Sequence, residues 1–79
     1  MVTVHKAIGY RFVIFTNDHS PAHVHIVGNG GEAKVILDGP DGLELDWSRG
    51  IGRGDLRRLM MEVQAERVRL IQAWEKMHG

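Results

Sequence analysis

Three of the chain's five histidines fall within seven positions, in the segment Asn17-Asp18-His19-Ser20-Pro21-Ala22-His23-Val24-His25-Ile26. Imidazole is the side chain whose ordinary pKa lies nearest neutral pH, and it is also a common metal ligand. Such a concentration predicts a place for chemistry or specific binding, and we take His23 and His25 as the best candidates. The pattern does not name a reaction, so whether the chain is an enzyme stays open.

One hypothesis is metal-independent acid/base catalysis. Two neighbouring imidazoles can share one proton near pH 7, so that His23 and His25 act as acid and base while Arg11 stabilises the charge that develops on a phosphate. A small ribonuclease needs little more. Its RNA would be held by a basic segment around Gly50-Ile51-Gly52-Arg53-Gly54, at the start of a predicted helix where free backbone N–H groups favour phosphate. The phosphate-binding or nucleic-acid-binding candidates there are Arg49, Arg53, Arg57 and Arg58.

A second hypothesis is a metal site. A His-x-His pair on a strand places two imidazoles about 6.5 to 7 Å apart on one face, and His19 could bend back so that His19, His23 and His25 are the ligands. Asp18 or Glu32 could add a carboxylate. No fourth ligand stands at a diagnostic spacing, so no cofactor is expected. In the third interpretation the cluster is structural or belongs to a protein-binding surface.

The elements that would position these residues are strands followed by a helix. Alternating apolar residues predict strands over about 9–15, 22–27, 32–37 and 43–47, and Asn29-Gly30 is typical of a hairpin turn. Within the last strand Leu43, Leu45 and Trp47 share one face, with Trp47 as a core residue. The expected fold is α+β, an antiparallel β-meander of three to four strands with one long C-terminal helix packed on one face.

The helix is predicted over about 55–78, because apolar residues recur there with a period near 3.6 and no Pro or Gly lies between Asp55 and His78. Arg67 interrupts the apolar stripe. The helix would be about 35 Å long, longer than the strands. Its distal turns, with Leu70, Trp74 and Met77, could then overhang the sheet. We expect the helix to pack on the chain's own sheet, with Trp74 as a core residue and a homodimer contact through the distal turns as an addition.

The predicted role of the histidines depends on which face of the sheet they occupy. If the helix covers Val24 and Ile26, then period-two alternation sends His23 and His25 to the opposite, open face. Glu32 and Lys34 would lie on that face as well, and Arg11 joins them if Tyr10, Phe12 and Ile14 point inward.

Composition limits the remaining possibilities. With 79 residues the chain is expected to form a single domain over 1–79, and the lack of cysteine excludes disulfides and thiolate metal sites. The net charge is zero, although the part before residue 49 is acidic and the part after it basic. No signal-peptide pattern opens the chain and no apolar run is long enough to span a bilayer, so a cytoplasmic protein is expected.

Several stretches together resemble the small bacterial domain-of-unknown-function family 4160. They are Gly9-Tyr10-Arg11-Phe12, Asn17-Asp18-His19-Ser20-Pro21-Ala22-His23-Val24-His25, Gly31-Glu32-Ala33-Lys34 and the closing helix with Trp74. The resemblance implies a compact prokaryotic protein, encoded beside a small partner in an arrangement similar to toxin-antitoxin pairs. The expected function is a protein-binding component of such a two-gene module, with the small ribonuclease as the alternative. The Arg-Gly-Ile-Gly-Arg-Gly-Asp stretch before the helix departs from the family pattern.

Overall fold

A five-stranded antiparallel sheet forms most of the molecule in the computed structural model, which describes all 79 residues. Its strands follow one another along the chain and across the sheet, so the α+β class and the antiparallel meander are confirmed. The expected count of three to four strands is wrong, since there are five. They are β1 Val2–Ala7, β2 Tyr10–Ile14, β3 His23–Gly28, β4 Gly31–Gly39 and β5 Gly42–Arg49.

Strand β1 is the element that sequence reasoning missed, and the turn after it explains why. Ile8 and Gly9 form a two-residue connection with φ of 60° and 78°, the same backbone that Asn29 and Gly30 adopt between β3 and β4 with φ of 50° and 78°. Such turns need positive φ at both positions, and Asn-Gly supplies it readily. A β-branched residue in this conformation is rare, so Ile8 gives no turn signal.

A bulge in β5 reverses the side chains that follow it. Leu45 is paired with Val35 while Trp47 is paired with the preceding β4 residue, Lys34, which leaves Asp46 as an extra residue. Leu45 and Trp47 therefore point to opposite faces. The prediction that Trp47 is a core residue is wrong, since the indole is 37% exposed on the open face. The bulge breaks the alternation on which that prediction depended.

The C-terminal part forms two helices, α1 Arg53–Ala65 and α2 Arg67–His78, where one helix was predicted. Glu66 lies between them with φ −103° and ψ 10°, outside helical geometry. A straight helix over 55–78 would be about 36 Å long, whereas the whole molecule is 33 Å across its longest dimension. Next to the break, Arg67 Nε donates a hydrogen bond of 2.7 Å to the carbonyl of Leu37 in β4. The break thus keeps both helices on the sheet.

The core lies between the helices and one face of the sheet, as predicted. The inward positions of β2 and the Val24 and Ile26 face of β3 are buried, together with Leu70 and Trp74 from α2. The distal turns are thereby packed within the chain, and the homodimer expected from them stays a prediction. The cluster comprises Tyr10, Phe12, Ile14, Ala22, Val24, Ile26, Ala33, Val35, Leu37, Leu59, Val63, Leu70 and Trp74.

Candidate functional site

The loop between β2 and β3 brings a carboxylate onto both histidines of β3. The backbone N–H of Asp18 donates to the carbonyl of Phe15 at 3.2 Å and closes a turn. The Asp18 carboxylate then lies with Oδ2 2.9 Å from His23 Nε2 and 3.7 Å from His25 Nε2. One carboxylate oxygen therefore faces the Nε2 atoms of both imidazoles. We refer to Asp18, His23, His25 and Glu32 as the histidine cluster.

His23 is a buried member of this cluster, with only 3% of the residue exposed. Its Nδ1–H donates to the carbonyl of Pro21 at 2.7 Å. Its ring centroid lies 4.9 Å from that of Trp74 and 5.3 Å from that of His25. Strand alternation placed His23 on the open face, but the loop and Trp74 cover it, so its imidazole is not a surface group.

His25 lies at the rim of the cluster with 13% of its side chain exposed. Its Nδ1–H donates to Glu32 Oε2 at 3.2 Å, and its ring meets Phe15 edge-on at 4.8 Å between centroids. Burial lowers the pKa of His25 below its ordinary value, because the charged form loses water. The hydrogen bond to Glu32 opposes this change, and the neighbouring His23 adds to it.

Strand register explains the presence of Glu32. His25 is paired with Lys34 and Val27 with Glu32, so His25 and Glu32 are diagonal neighbours on one face. The Asn29-Gly30 turn carries the signal that could have found this contact. A two-residue hairpin loop joins Gly28 to Gly31 and so fixes the register of both strands.

The other predicted catalytic and metal residues lie outside the cluster. His19 is exposed in the loop, and Asp18 takes the third place beside His23 and His25, so that the possible ligand atoms of these three residues lie within 4.8 Å of one another. Arg11 is exposed on the open face, where it is paired with Val27, and its side chain makes no hydrogen bond or ion pair. Carboxylates, aromatic rings and the Pro21 carbonyl contact the imidazoles, and no cationic side chain does.

Of the four arginines predicted to hold phosphate, the structure brings one to the histidine cluster. Arg49 Nη2 lies 3.2 Å from Glu32 Oε1, and its guanidinium stands 5.7 Å from the ring centre of Trp47. Arg58 is paired with Asp55 within α1. Arg53 and Arg57 are exposed in the first turns of that helix. The basic segment is therefore divided between the open sheet face and the surface of α1.

Sequence reasoning also missed the aromatic neighbours of the cluster. Trp47 lies with its ring centroid 6.2 Å from that of His25, and no sequence signal revealed the bulge that puts it there. Trp74 is a core residue, but its contact with His23 depends on how α2 crosses the sheet.

Comparison with known proteins gives one match. The family model described as Domain of unknown function (DUF4160) matches residues 9–75, which includes the histidine cluster and both helices. No curated protein and no protein of solved structure matches the chain. Neither helix has the length and apolar composition needed to cross a bilayer.

Proposed function

The chain belongs to the DUF4160 family, and from the surface beside its histidine cluster we propose that it is the protein-binding component of a two-gene module similar to toxin-antitoxin pairs. The partner is a small protein encoded by the adjacent gene. It contributes an extended segment that lies along β5 and covers Trp47. The observation that carries this proposal is the exposed indole of Trp47 at a free sheet edge.

Strand β5 supports the proposal because it is paired on one side alone. It is hydrogen-bonded to β4, and its other edge presents the backbone N–H and carbonyl groups of alternate residues along Gly42–Arg49. The last six of these residues are exposed. An added strand is a common way for a sheet edge to bind an extended peptide.

Trp47 and Arg49 are the side chains that would give such binding its energy. They stand two residues apart, in cation–π contact, and are 37% and 75% exposed. Tryptophan and arginine are enriched among the residues that dominate protein interfaces. Their neighbours His25 and Glu32 would form the polar rim of that surface.

The test is co-expression of the chain with the product of the adjacent gene, followed by measurement of the complex by light scattering and of its affinity by titration calorimetry. We expect a stoichiometric complex that Trp47→Ala weakens by about 30-fold or more, the effect of losing an interface anchor. Met61→Ala is the matched control, because Met61 is 66% exposed on α1, away from β5. Failure of the two wild-type proteins to associate would contradict the proposal.

The alternative proposal is a small metal-independent ribonuclease that uses His23 and His25 for acid/base catalysis. It is supported by the orientation of His25, whose ring is held by Glu32 and is partly open to solvent. Arg49 stands beside the same carboxylate. Against it stands the charge of the cluster, because the carboxylates of Asp18 and Glu32 would repel an approaching phosphate. The geometry therefore favours partner binding.

Purified protein incubated with RNA in the presence of a chelator tests this alternative. A metal-independent ribonuclease would cleave the RNA, His25→Ala would abolish cleavage and His19→Ala, in the same segment but outside the cluster, would retain it. Intact RNA after incubation with wild-type protein would contradict the ribonuclease hypothesis. Expression of the chain without its neighbour gene adds an independent measurement, since a ribonuclease should arrest growth and His25→Ala should not.

A further inference from the structure

We infer that Asp18, His23 and His25 form a binding site for one divalent transition-metal ion of the zinc class. The ligands are Asp18 Oδ2, His23 Nε2 and His25 Nε2. This site does not depend on the proposed partner surface. It differs from the ligand set expected from the sequence, in which His19 stood in place of Asp18.

The first observation is that each imidazole is held by a hydrogen bond from Nδ1, the ring nitrogen that does not face Asp18. His23 Nδ1–H donates to the Pro21 carbonyl at 2.7 Å, and His25 Nδ1–H donates to Glu32 at 3.2 Å. In metal sites a ligating histidine almost always donates its second N–H to a backbone carbonyl or a carboxylate, which fixes the tautomer and the ring orientation. Both kinds of support occur here, one for each ring.

The second observation concerns the nitrogens that point inward. A neutral imidazole with a proton on Nδ1 has a bare lone pair on Nε2. Here the Nε2 atoms of His23 and His25 face the carboxylate oxygen Oδ2 of Asp18 at 2.9 and 3.7 Å. His23 Nε2 and Asp18 Oδ2 lie within hydrogen-bonding distance, so a proton on Nε2 can join them. A metal ion can take the place of that proton and be coordinated by all three atoms.

The spacing fits an ion of the right size. With metal–ligand distances of about 2.0 to 2.1 Å, neighbouring ligand atoms in tetrahedral or octahedral sites lie about 2.8 to 3.4 Å apart. The three atoms lie within 4.8 Å of one another, so small side-chain rotations complete the site.

The ligand types and the exposure of the site identify the class of ion. Two imidazoles and one carboxylate suit zinc, iron(II), cobalt(II) or nickel(II), whereas magnesium and calcium prefer oxygen ligands. Three protein ligands leave at least one coordination position open. Since 25% of the Asp18 side chain is exposed, solvent or a small ligand can reach that position.

Titration calorimetry of the chelator-treated full chain with zinc chloride tests the inference. We expect one zinc per chain, no heat with magnesium chloride, and absorption bands of a four- to six-coordinate ion when cobalt(II) replaces zinc. Asp18→Asn and His25→Ala should each weaken zinc binding by at least about 100-fold. Glu32→Gln, which keeps the ligands and alters their support, should weaken it by about 10- to 100-fold.

Two controls make the result decisive. His19→Ala removes an exposed imidazole from the same segment and should bind zinc as wild type does. If His19→Ala abolishes binding while Asp18→Asn retains it, the assignment of Asp18 as a ligand is overturned. Circular dichroism of each variant shows whether it is folded, and His23, which is buried, is left unchanged for that reason. Wild-type protein that takes up no zinc overturns the site itself.

Discussion

Two regions of the molecule each surround histidine with charged side chains, and they differ in what faces the second ring nitrogen. At the junction of β1 with the helices, His5 Nε2–H donates to Glu62 Oε1 at 2.7 Å, and Arg69 Nη2 donates to His5 Nδ1 at 2.8 Å. A neutral imidazole has one donor and one acceptor, so His5 is satisfied on both sides. In the histidine cluster both Nδ1 atoms donate to other acceptors, and both Nε2 atoms face one carboxylate oxygen. The first arrangement uses both ring nitrogens of a neutral imidazole, whereas the second leaves two Nε2 atoms and Asp18 to share a proton or a metal ion.

The hydrogen bonds of Arg69 give the His5 region a structural role. Arg69 donates to the carbonyl of Val4 at 3.0 Å and to Glu66 Oε1 at 2.7 Å. The bond to Val4, together with the bond to His5, fastens α2 to the edge strand β1 across more than sixty residues of chain, whereas the bond to Glu66 is local. The importance of His5 comes from long-range contacts alone, which no local sequence pattern reveals.

The largest expected difference between the two regions is in stability. His23→Ala should lower the free energy of unfolding by about 2 to 4 kcal/mol, because it leaves a cavity beside Trp74 and removes the partner of the Pro21 carbonyl. His5→Ala should cost about 1 kcal/mol, since its hydrogen bonds lie nearer the surface. Urea unfolding of both variants measures the difference. Equal losses would show that the burial of His23 adds no stability beyond that provided by the less buried His5.

The second prediction concerns added metal. Zinc at 100 times its dissociation constant should stabilise wild-type protein by about 2.7 kcal/mol, because it binds the folded state. The His5→Ala variant should gain as much, since His5 lies outside the site, whereas His25→Ala should gain almost nothing. Thermal unfolding with zinc and again after chelation provides the measurement. Similar stabilisation of all three proteins would point to zinc bound elsewhere on the surface.

Much of the fold and part of the candidate site could be predicted from the sequence, but only where a local sequence pattern determines the structure. Alternation correctly separated the apolar face of β3 from its histidine face, and Asn29-Gly30 correctly marked the hairpin. The bulge at Asp46 and the break at Glu66 have no local signal, because they arise where the strand and the helix fit the rest of the fold. Asp18 was predicted as a possible carboxylate ligand. Its convergence on both imidazoles depends on the path of the whole loop.

The third prediction returns to the junction of β1 with the helices. Arg69→Ala should lower the free energy of unfolding by about 1 kcal/mol, because the Val4 carbonyl and His5 Nδ1 lose their donor while solvent can replace it. Hydrogen exchange should show the loss concentrated in β1, with β3 and β4 protected as in wild type. Zinc binding should be unchanged in this variant. A weaker zinc affinity would show that the two regions are coupled, against the independence inferred from their separate contacts.

The smallest expected effect is on the acidity of Glu66. Its hydrogen bond from Arg69 lowers the pKa of the Glu66 carboxyl below the ordinary value. A lowered carboxyl pKa stabilises the folded state above the unfolded pKa, and that contribution is lost as the pH falls through the folded value. Because Glu66 lies at the surface, solvent and salt screen the effect. NMR titration should find the Glu66 pKa depressed in wild type and returned to the ordinary range in Arg69→Ala. A depression that survives the loss of Arg69 would assign the lowered pKa to another neighbour.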